Sequence, residues 1–254
     1  MKITFIGVGE AFDEELSNTS IEISIEESGV KNSILFDCGL TVPPCYWKSL
    51  PDADRLDAIW ISHFHGDHFF GLPALLTRFR QMNRKKPLVI LGQQDAAGII
   101  RQTLELAYPA ILDKLGYQLR FVAVEPGEVV NEAGLVWQSA LNAHSVRNLA
   151  VRIQKGSKSV FYSGDGLSTA ETLSLAQGAD LVIHEAFRIE QEFPGHSTVS
   201  SCVSFARRAN VCRLALVHVE RNERRLRRED ILQMIAKISD FDIFLPEPGD
   251  WLEI

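Results

Sequence analysis

Trp60-Ile61-Ser62-His63-Phe64-His65-Gly66-Asp67-His68 is the stretch on which both fold and chemistry turn. Three histidines and one aspartate fall within six residues, directly after the apolar run Ala58–Ile61. Placed in a core, each imidazole and the carboxylate would need its own hydrogen-bond partner or cost about 2 kcal/mol or more. Placed in a loop at a strand end, the same residues make a metal site. Alternate residues of extended backbone share a side, so His63 and His65 face one point. Asp67 and His68 then turn toward a second point a few ångströms away. Imidazole nitrogen and carboxylate oxygen together suit zinc, with manganese or iron as alternatives.

Four ligands do not complete two sites, and three further candidates sit just past strand-like runs. His144 follows Leu135–Leu141, Asp165 closes the segment Phe161-Tyr162-Ser163-Gly164-Asp165, and His218 follows Leu214–Val217. Residues at strand ends along one edge of a sheet can converge on a common point. A carboxylate such as Asp165 can bridge two cations through its two oxygens.

The remainder of the chain supports one catalytic domain over residues 1–254. Of its 254 residues 46% are apolar and 23% charged, ordinary for a folded protein that buries its own core. With 26 Lys and Arg against 33 Asp and Glu, the net charge is −7. That balance counts against wholesale binding to a nucleic-acid backbone, which needs cations to neutralise phosphates. No apolar run approaches the roughly 18–20 residues that span a bilayer. The opening Met1–Leu16 lacks the long apolar core of a signal peptide. Cys38, Cys45, Cys202 and Cys212 show no C-x-x-C pairing and read as core thiols in a reducing compartment, with the cytoplasm as the expected location.

Strand-like runs rich in Ile, Val and Phe recur at Lys2–Ile6, Ser20–Ile25, Ser33–Phe36, Ala58–Ile61, Leu88–Leu91 and Gln118–Val124. They continue at Leu135–Leu141, Ala150–Ile153, Val160–Tyr162, Leu181–Ile183, Leu214–Val217, Asp242–Leu245 and Trp251–Ile254. Helical periodicity fits Leu72–Met82, Gln94–Leu106, Thr169–Gln177, Val199–Ala209 and Arg228–Ile238. The arginine-rich segment Glu220–Asp230 reads as a solvated loop and helix start, with a substrate-facing patch as the minority alternative.

The order H-x-H-x-D-H, then His, Asp and His after successive strands, resembles the metallo-β-lactamase superfamily across nearly the whole chain. The resemblance implies an α/β fold, a four-layer αββα sandwich with a two-metal site at one edge. By analogy His63, His65 and His144 hold one metal, Asp67, His68 and His218 the other, and Asp165 bridges. Asp37, closing Ile34-Leu35-Phe36-Asp37, matches the early aspartate that supports such sites from behind the ligands.

Several segments are similar to the ribonuclease Z branch. Gly71-Leu72-Pro73-Ala74-Leu75-Leu76 follows the metal loop as in those enzymes. His184-Glu185-Ala186 resembles the start of their His-Glu-Ala-Thr loop, and His196-Ser197-Thr198 their His-Ser-Thr loop. The residues expected to act in catalysis are therefore Asp67, His184 and His196, with either histidine touching a phosphate or protonating a leaving oxygen. A helix-cap loop is the competing reading of His196, because Ser197 and Thr198 precede a helix. Dimers are frequent in that branch, so a homodimer is the assembly it implies.

Three departures from the branch bear on substrate. Phe187 stands where the loop pattern has Thr. Only about 20 residues separate His144 from Asp165, too few for the long arm that ribonuclease Z uses to grip tRNA. Asp13-Glu14-Glu15-Leu16-Ser17-Asn18 occupies the place of the family's Pro-x-Lys-x-Arg-Asn, and of those positions only Asn18 matches. Glu15, standing where a cation is expected, repels a polyanion, which argues against a full transfer RNA. The leading expectation is a metal-dependent phosphodiesterase acting on a small-molecule or short nucleotide substrate. The alternatives are a carboxylester, lactone, thioester or lactam hydrolase of the same fold, and a metal-dependent binding protein without chemistry.

Overall fold

Successive side chains of a strand point to opposite faces, and in this protein both faces of many strands are apolar. The structure is a computed structural model that describes residues 1–27, 29–49 and 52–254. In β3 (Val30–Phe36), Ile34 and Phe36 enter one buried cluster and Leu35 another. In β4 (Ala58–Trp60), Ala58 and Trp60 join the first cluster and Ile59 the second. Strands apolar on both faces need cover on both, and the chain supplies it with a second sheet on one side and helices on the other.

The first sheet begins with β1 (Lys2–Gly7) and β2 (Ser20–Glu27); β2 runs antiparallel to both β1 and β3. From β3 onward β4, β5 (Leu88–Gly92) and β6 (Leu119–Ala123) are parallel. The second sheet starts as an antiparallel meander of β7 (Val130–Glu132), β8 (Leu135–Asn142), β9 (Asn148–Lys155) and β10 (Lys158–Tyr162). It continues in parallel through β11 (Leu181–Glu185), β12 (Arg213–Val217) and β13 (Asp242–Phe244). β14 (Trp251–Glu253) returns to the first sheet beside β1, giving orders β14-β1-β2-β3-β4-β5-β6 and β13-β12-β11-β10-β9-β8-β7 among the described residues.

Between the sheets Trp137 stacks on Phe36 and on Trp60, each pair 5.9 Å apart, and Tyr162 meets Phe36 edge-on at 5.8 Å. Outside the first sheet lie α1 (Val42–Ser49), α3 (Leu72–Gln81) and α4 (Ala96–Ala107); outside the second lie α5 (Ala170–Ala176), α6 (Val199–Arg208) and α8 (Arg228–Ile235). The expected four-layer αββα sandwich is the observed fold. α2 (Gly66–Phe69) is a single turn inside the histidine-rich loop, and α7 (Arg221–Leu226) precedes α8.

Two expectations need correction, and α1 lies where the residue pattern placed no helix: Pro43 and Pro44 fall in its first turn, where no backbone N–H is required. Residues Glu220–Asp230 are not a solvated loop: they form α7 and enter α8, with the Arg224 side chain buried. Cys38 and Cys202 are buried as expected, but Cys212 is exposed. Among the described residues no helix is long and apolar enough to cross a membrane.

Candidate metal centre

Parallel strands present their carboxyl ends to one rim, and that rim gathers the unusual residues. β3 is followed directly by Asp37 and β12 by His218, both with positive φ, 56° and 57°, a conformation that costs a non-glycine residue energy and marks a constrained site. After β4 the chain runs through Ser62, His63 and His65, then tightens into α2. There Gly39 packs so closely on the loop that an added Cβ would overlap the carbonyl oxygen of Asp67.

Besides a group of Glu185, His196 and His218, two larger groups of candidate ligand atoms form at this rim. His63, His65, His144 and Asp165 make one, and Asp67, His68, Asp165 and His218 the other, with the atoms of each group within 4.8 Å of one another. In the first, Nδ1 of His65 lies 3.1 Å from Nε2 of His63 and 3.1 Å from Nε2 of His144. In the second, Oδ2 of Asp67 lies 3.2 Å from Nε2 of both His68 and His218. Asp165 belongs to both: its Oδ2 is 3.8 Å from His63, 3.4 Å from His68 and 3.5 Å from His218.

Behind the ligands, Asp37 fixes their orientation. Its fully buried carboxylate accepts from the Ser62 backbone N–H at 2.8 Å, the Ser62 hydroxyl at 2.7 Å and the Tyr162 hydroxyl at 2.7 Å. It also holds Nδ1 of His68 at 2.7 Å, which turns Nε2 toward the cluster. The carbonyl of Gly195 does the same for His144 Nδ1 at 2.7 Å. Such outer contacts set both tautomer and ring direction in metal sites.

The donor set fits cations. Nε2 of His68 and Oδ1 of Asp165 are buried without a hydrogen-bond partner, as is Nδ1 of His218. Burial, with His68 as a like-charged neighbour, holds His63 well below the ordinary histidine value, and burial with His144 lowers His65. Burial opposes charge on His68 and His218 as well, but the Asp165 and Asp67 carboxylates outweigh it. His68 is raised well above its usual value and His218 to about 9. Burial likewise opposes ionisation of Asp67 and Asp165, yet the surrounding histidines hold both below the usual carboxylate range. In the metal-free protein, protons on His68 and His218 balance the carboxylates; cations would replace those protons.

Of the two expected catalytic histidines, the structure directs only His196 into the cavity. β11 alternates, and His184 lies on its outer face with Leu216 as its neighbour on β12. There its ring is buried under α6, with Nδ1 2.8 Å from the Glu185 carbonyl and the ring against Phe205. Glu185, the next residue, faces the site. Its carboxylate accepts from the backbone N–H groups of Gly166 at 3.0 Å, Phe187 at 3.0 Å and Ser197 at 2.7 Å. The same carboxylate lies 3.4 Å from Nδ1 of His196. The cap of α6 is Thr198, in a reciprocal pair with Ser201, so His196 is not spent on capping.

His196 lines a cavity of about 670 Å³ over the two ligand groups. Its ring is parallel to that of His218 within 8° and lies 4.6 Å from Phe187. Phe12, Leu40, Phe70 and Phe193 complete an apolar wall, which no sequence motif announced. The acidic 13–15 segment is not a bare negative patch. Glu14 meets Arg225 at 3.2 Å and Arg221 at 3.8 Å, and Glu15 meets Arg225 at 3.7 Å. Asn18 is buried and ties the loop together, donating to the Glu10 carbonyl and accepting from Thr41.

A sequence-family model described as anti-Pycsar protein Apyc1 matches residues 1–238. The chain belongs to that family. Ribonuclease Z of Methanosarcina acetivorans is 26% identical over 273 aligned residues, covering 86% of this chain and 87% of that enzyme. The metallo-β-lactamase fold protein YhfI of Bacillus subtilis superposes with a TM-score of 0.80 at 24% identity, over 99% of this chain and 98% of the other. The short form of human tRNase Z superposes with a TM-score of 0.79 at 23% identity, over 100% of this chain and 99% of that one. The two structural likenesses speak for the fold. With the relatives they make this member of the Apyc1 family a ribonuclease Z-like hydrolase of the metallo-β-lactamase superfamily, a fold that implies divalent metal ions.

Proposed function

We propose that the protein is a phosphodiesterase acting on a small or short nucleotide-like substrate, linear or cyclic, at a dinuclear centre. The reading rests on one observation: the Asp165 carboxylate is shared by two His-rich ligand groups beside the Glu185–His196 pair. His63, His65 and His144 would hold one ion, Asp67, His68 and His218 the other, and Asp165 would bridge, with zinc the best match to this nitrogen-rich set. Bound divalent ions supply Lewis acidity and acidify water enough to give a nucleophile near neutral pH.

The chain's own groups do the rest. Asp67 and Asp165 orient the attacking oxygen for in-line approach to phosphorus. Glu185, 3.4 Å from Nδ1, sits behind the His196 ring, leaving Nε2 to deliver a proton to the leaving oxygen. His184, turned into the helical layer, has no part in this scheme. The apolar wall takes the uncharged part of the substrate. Glu15 and Ser17, at positions where ribonuclease Z carries cations, leave a full transfer RNA outside the proposal.

The apolar wall also favours a second reading, hydrolysis of a carbon-centred ester, lactone, thioester or lactam. Parallel assays of the metal-loaded protein on bis(p-nitrophenyl) phosphate and on a carboxylester panel separate the two. Phosphodiester turnover that vanishes in Asp165→Ala is expected. Absence of turnover with zinc, manganese and iron alike refutes the phosphodiesterase reading, and carboxylester turnover alone transfers the site to the second one.

A further inference from the structure

A second cavity, of about 260 Å³, lies between the 13–16 turn and the α7–α8 segment. Arg221, Arg224, Arg225 and Arg228 line it, the first three from one face of α7 and the fourth from the start of α8. Four guanidinium groups around one cavity repel each other unless something anionic lies among them.

Arg224 is the informative member. It is only 4% exposed. One of its terminal nitrogens, Nη2, donates to the Pro246 carbonyl at 2.6 Å and lies 3.1 Å from the Glu247 carboxylate. The other, Nη1, is buried and has no acceptor at all. A buried cationic donor without a partner is costly and is kept where something accepts from it.

The neighbouring arginines are only partly engaged. Arg228 directs both Nε and Nη2 at one oxygen of Glu247, at 3.3 and 3.0 Å. Arg225 meets Glu14 and Glu15, whose side chains are 59% and 65% exposed, so these are weak, displaceable pairs. Asp13 also lines the cavity, but one oxygen of its carboxylate already accepts from the N–H groups of Glu15 and Leu16. A tetrahedral oxyanion offers several acceptors in a small volume and takes guanidinium groups in bidentate fashion.

We propose that this cavity is an anion site that takes a phosphate group on Arg224, Arg225 and Arg228, with Glu14 and Glu15 swinging aside. It contains none of the metal-ligand residues, yet Arg221 lines both cavities and pairs with Glu10 at 2.5 Å in the catalytic wall. The chemistry fits free inorganic phosphate or the phosphate of a nucleoside monophosphate. The site stands whether or not the protein is a phosphodiesterase.

Titration calorimetry of the metal-loaded protein tests it, with inorganic phosphate in one arm and adenosine 5′-monophosphate in the other. Arg225→Gln and Arg228→Gln are the variants of choice, since both side chains are nearly half exposed and neither lines the catalytic cavity. Each should weaken one binding event about tenfold while turnover of bis(p-nitrophenyl) phosphate is unchanged, the loss expected for one charge-assisted hydrogen bond. Glu14→Gln, which removes a competing carboxylate, should tighten the same event about threefold. Equal affinity in both arms supports a site that reads phosphate alone, and tighter monophosphate binding supports one that also touches the nucleoside. Binding in both arms that is identical in the wild type and all three variants confines phosphate to the metal centre and overturns the proposal.

Discussion

Replacing Glu185 probes how the catalytic rim is held together. Its carboxylate, 1% exposed, accepts three backbone N–H bonds from two loops, at Gly166 in one and at Phe187 and Ser197 in the other. Glu185→Ala leaves three donors without an acceptor. At about 1–3 kcal/mol for each unsatisfied buried group, and with water entering the vacated space to recover part of it, the expected loss is about 3–5 kcal/mol. For a chain of this size that lowers Tm by roughly 6–20 °C. Glu185→Gln is milder. Its amide oxygen can still serve Gly166 and Ser197 from the Oε1 position, while its NH2 group confronts the Phe187 N–H, a loss of about 1–3 kcal/mol. Denaturation of both variants after chelation isolates the loop contacts from metal affinity. With metal restored, Glu185→Gln should lose turnover beyond its loss of stability, because His196 no longer faces a carboxylate. An alanine variant within about 1 kcal/mol of the wild type would refute the reasoning, since the two loops would then be held by something else.

The metal-free protein should weaken as pH rises from 7 through about 9. His218 has its folded pKa raised to about 9, so its contribution is complete below the unfolded value near 6.5 and is lost above 9. Urea denaturation of chelated protein across that window checks the sign, and rising stability would contradict it. Tyr162→Phe removes the 2.7 Å bond to Asp37 without leaving a buried donor, and should cost about 1 kcal/mol together with weaker metal retention through His68. Competition with a chromogenic chelator measures the second effect, and unchanged retention would separate Tyr162 from the site. Gly39→Ala should displace the Asp67 turn and lower bound metal per chain, since its Cβ has no room beside that carbonyl. Elemental analysis showing full metal content in this variant would mean that the loop yields easily.

His63, His65, Asp67 and His68 were legible because six consecutive positions in a strand-end loop cannot separate far in space. The pairing of His144, Asp165 and His218 with them followed from their place after strand-like runs, and parallel strands indeed carry Asp165 and His218 to the same rim. Glu185 was not legible. Leu181, Val182 and Ile183 are all buried, two toward the opposite sheet and one toward the helices. A strand with two apolar faces carries no polar face to set its phase, so nothing in the residue pattern said which of His184 and Glu185 would point at the metal loop. α1 had no counterpart in the residue pattern for a related reason, since prolines that would break a helix in its middle are harmless in its first turn, and that turn is defined only once the helix is placed.

Alternation, turn chemistry and close ligand spacing are local, and they suffice for the layered α/β architecture and for most of the candidate metal-binding residues. Long-range contacts are another matter. Arg221 reaches Glu10 and Arg225 reaches Glu14 across 211 positions, turning an acidic segment that reads as repulsive into one side of a balanced charge cluster. Charge along a chain says what each residue carries. Only packing brings opposite charges within 4 Å, and at that distance their mutual field outweighs the net charge of the whole protein.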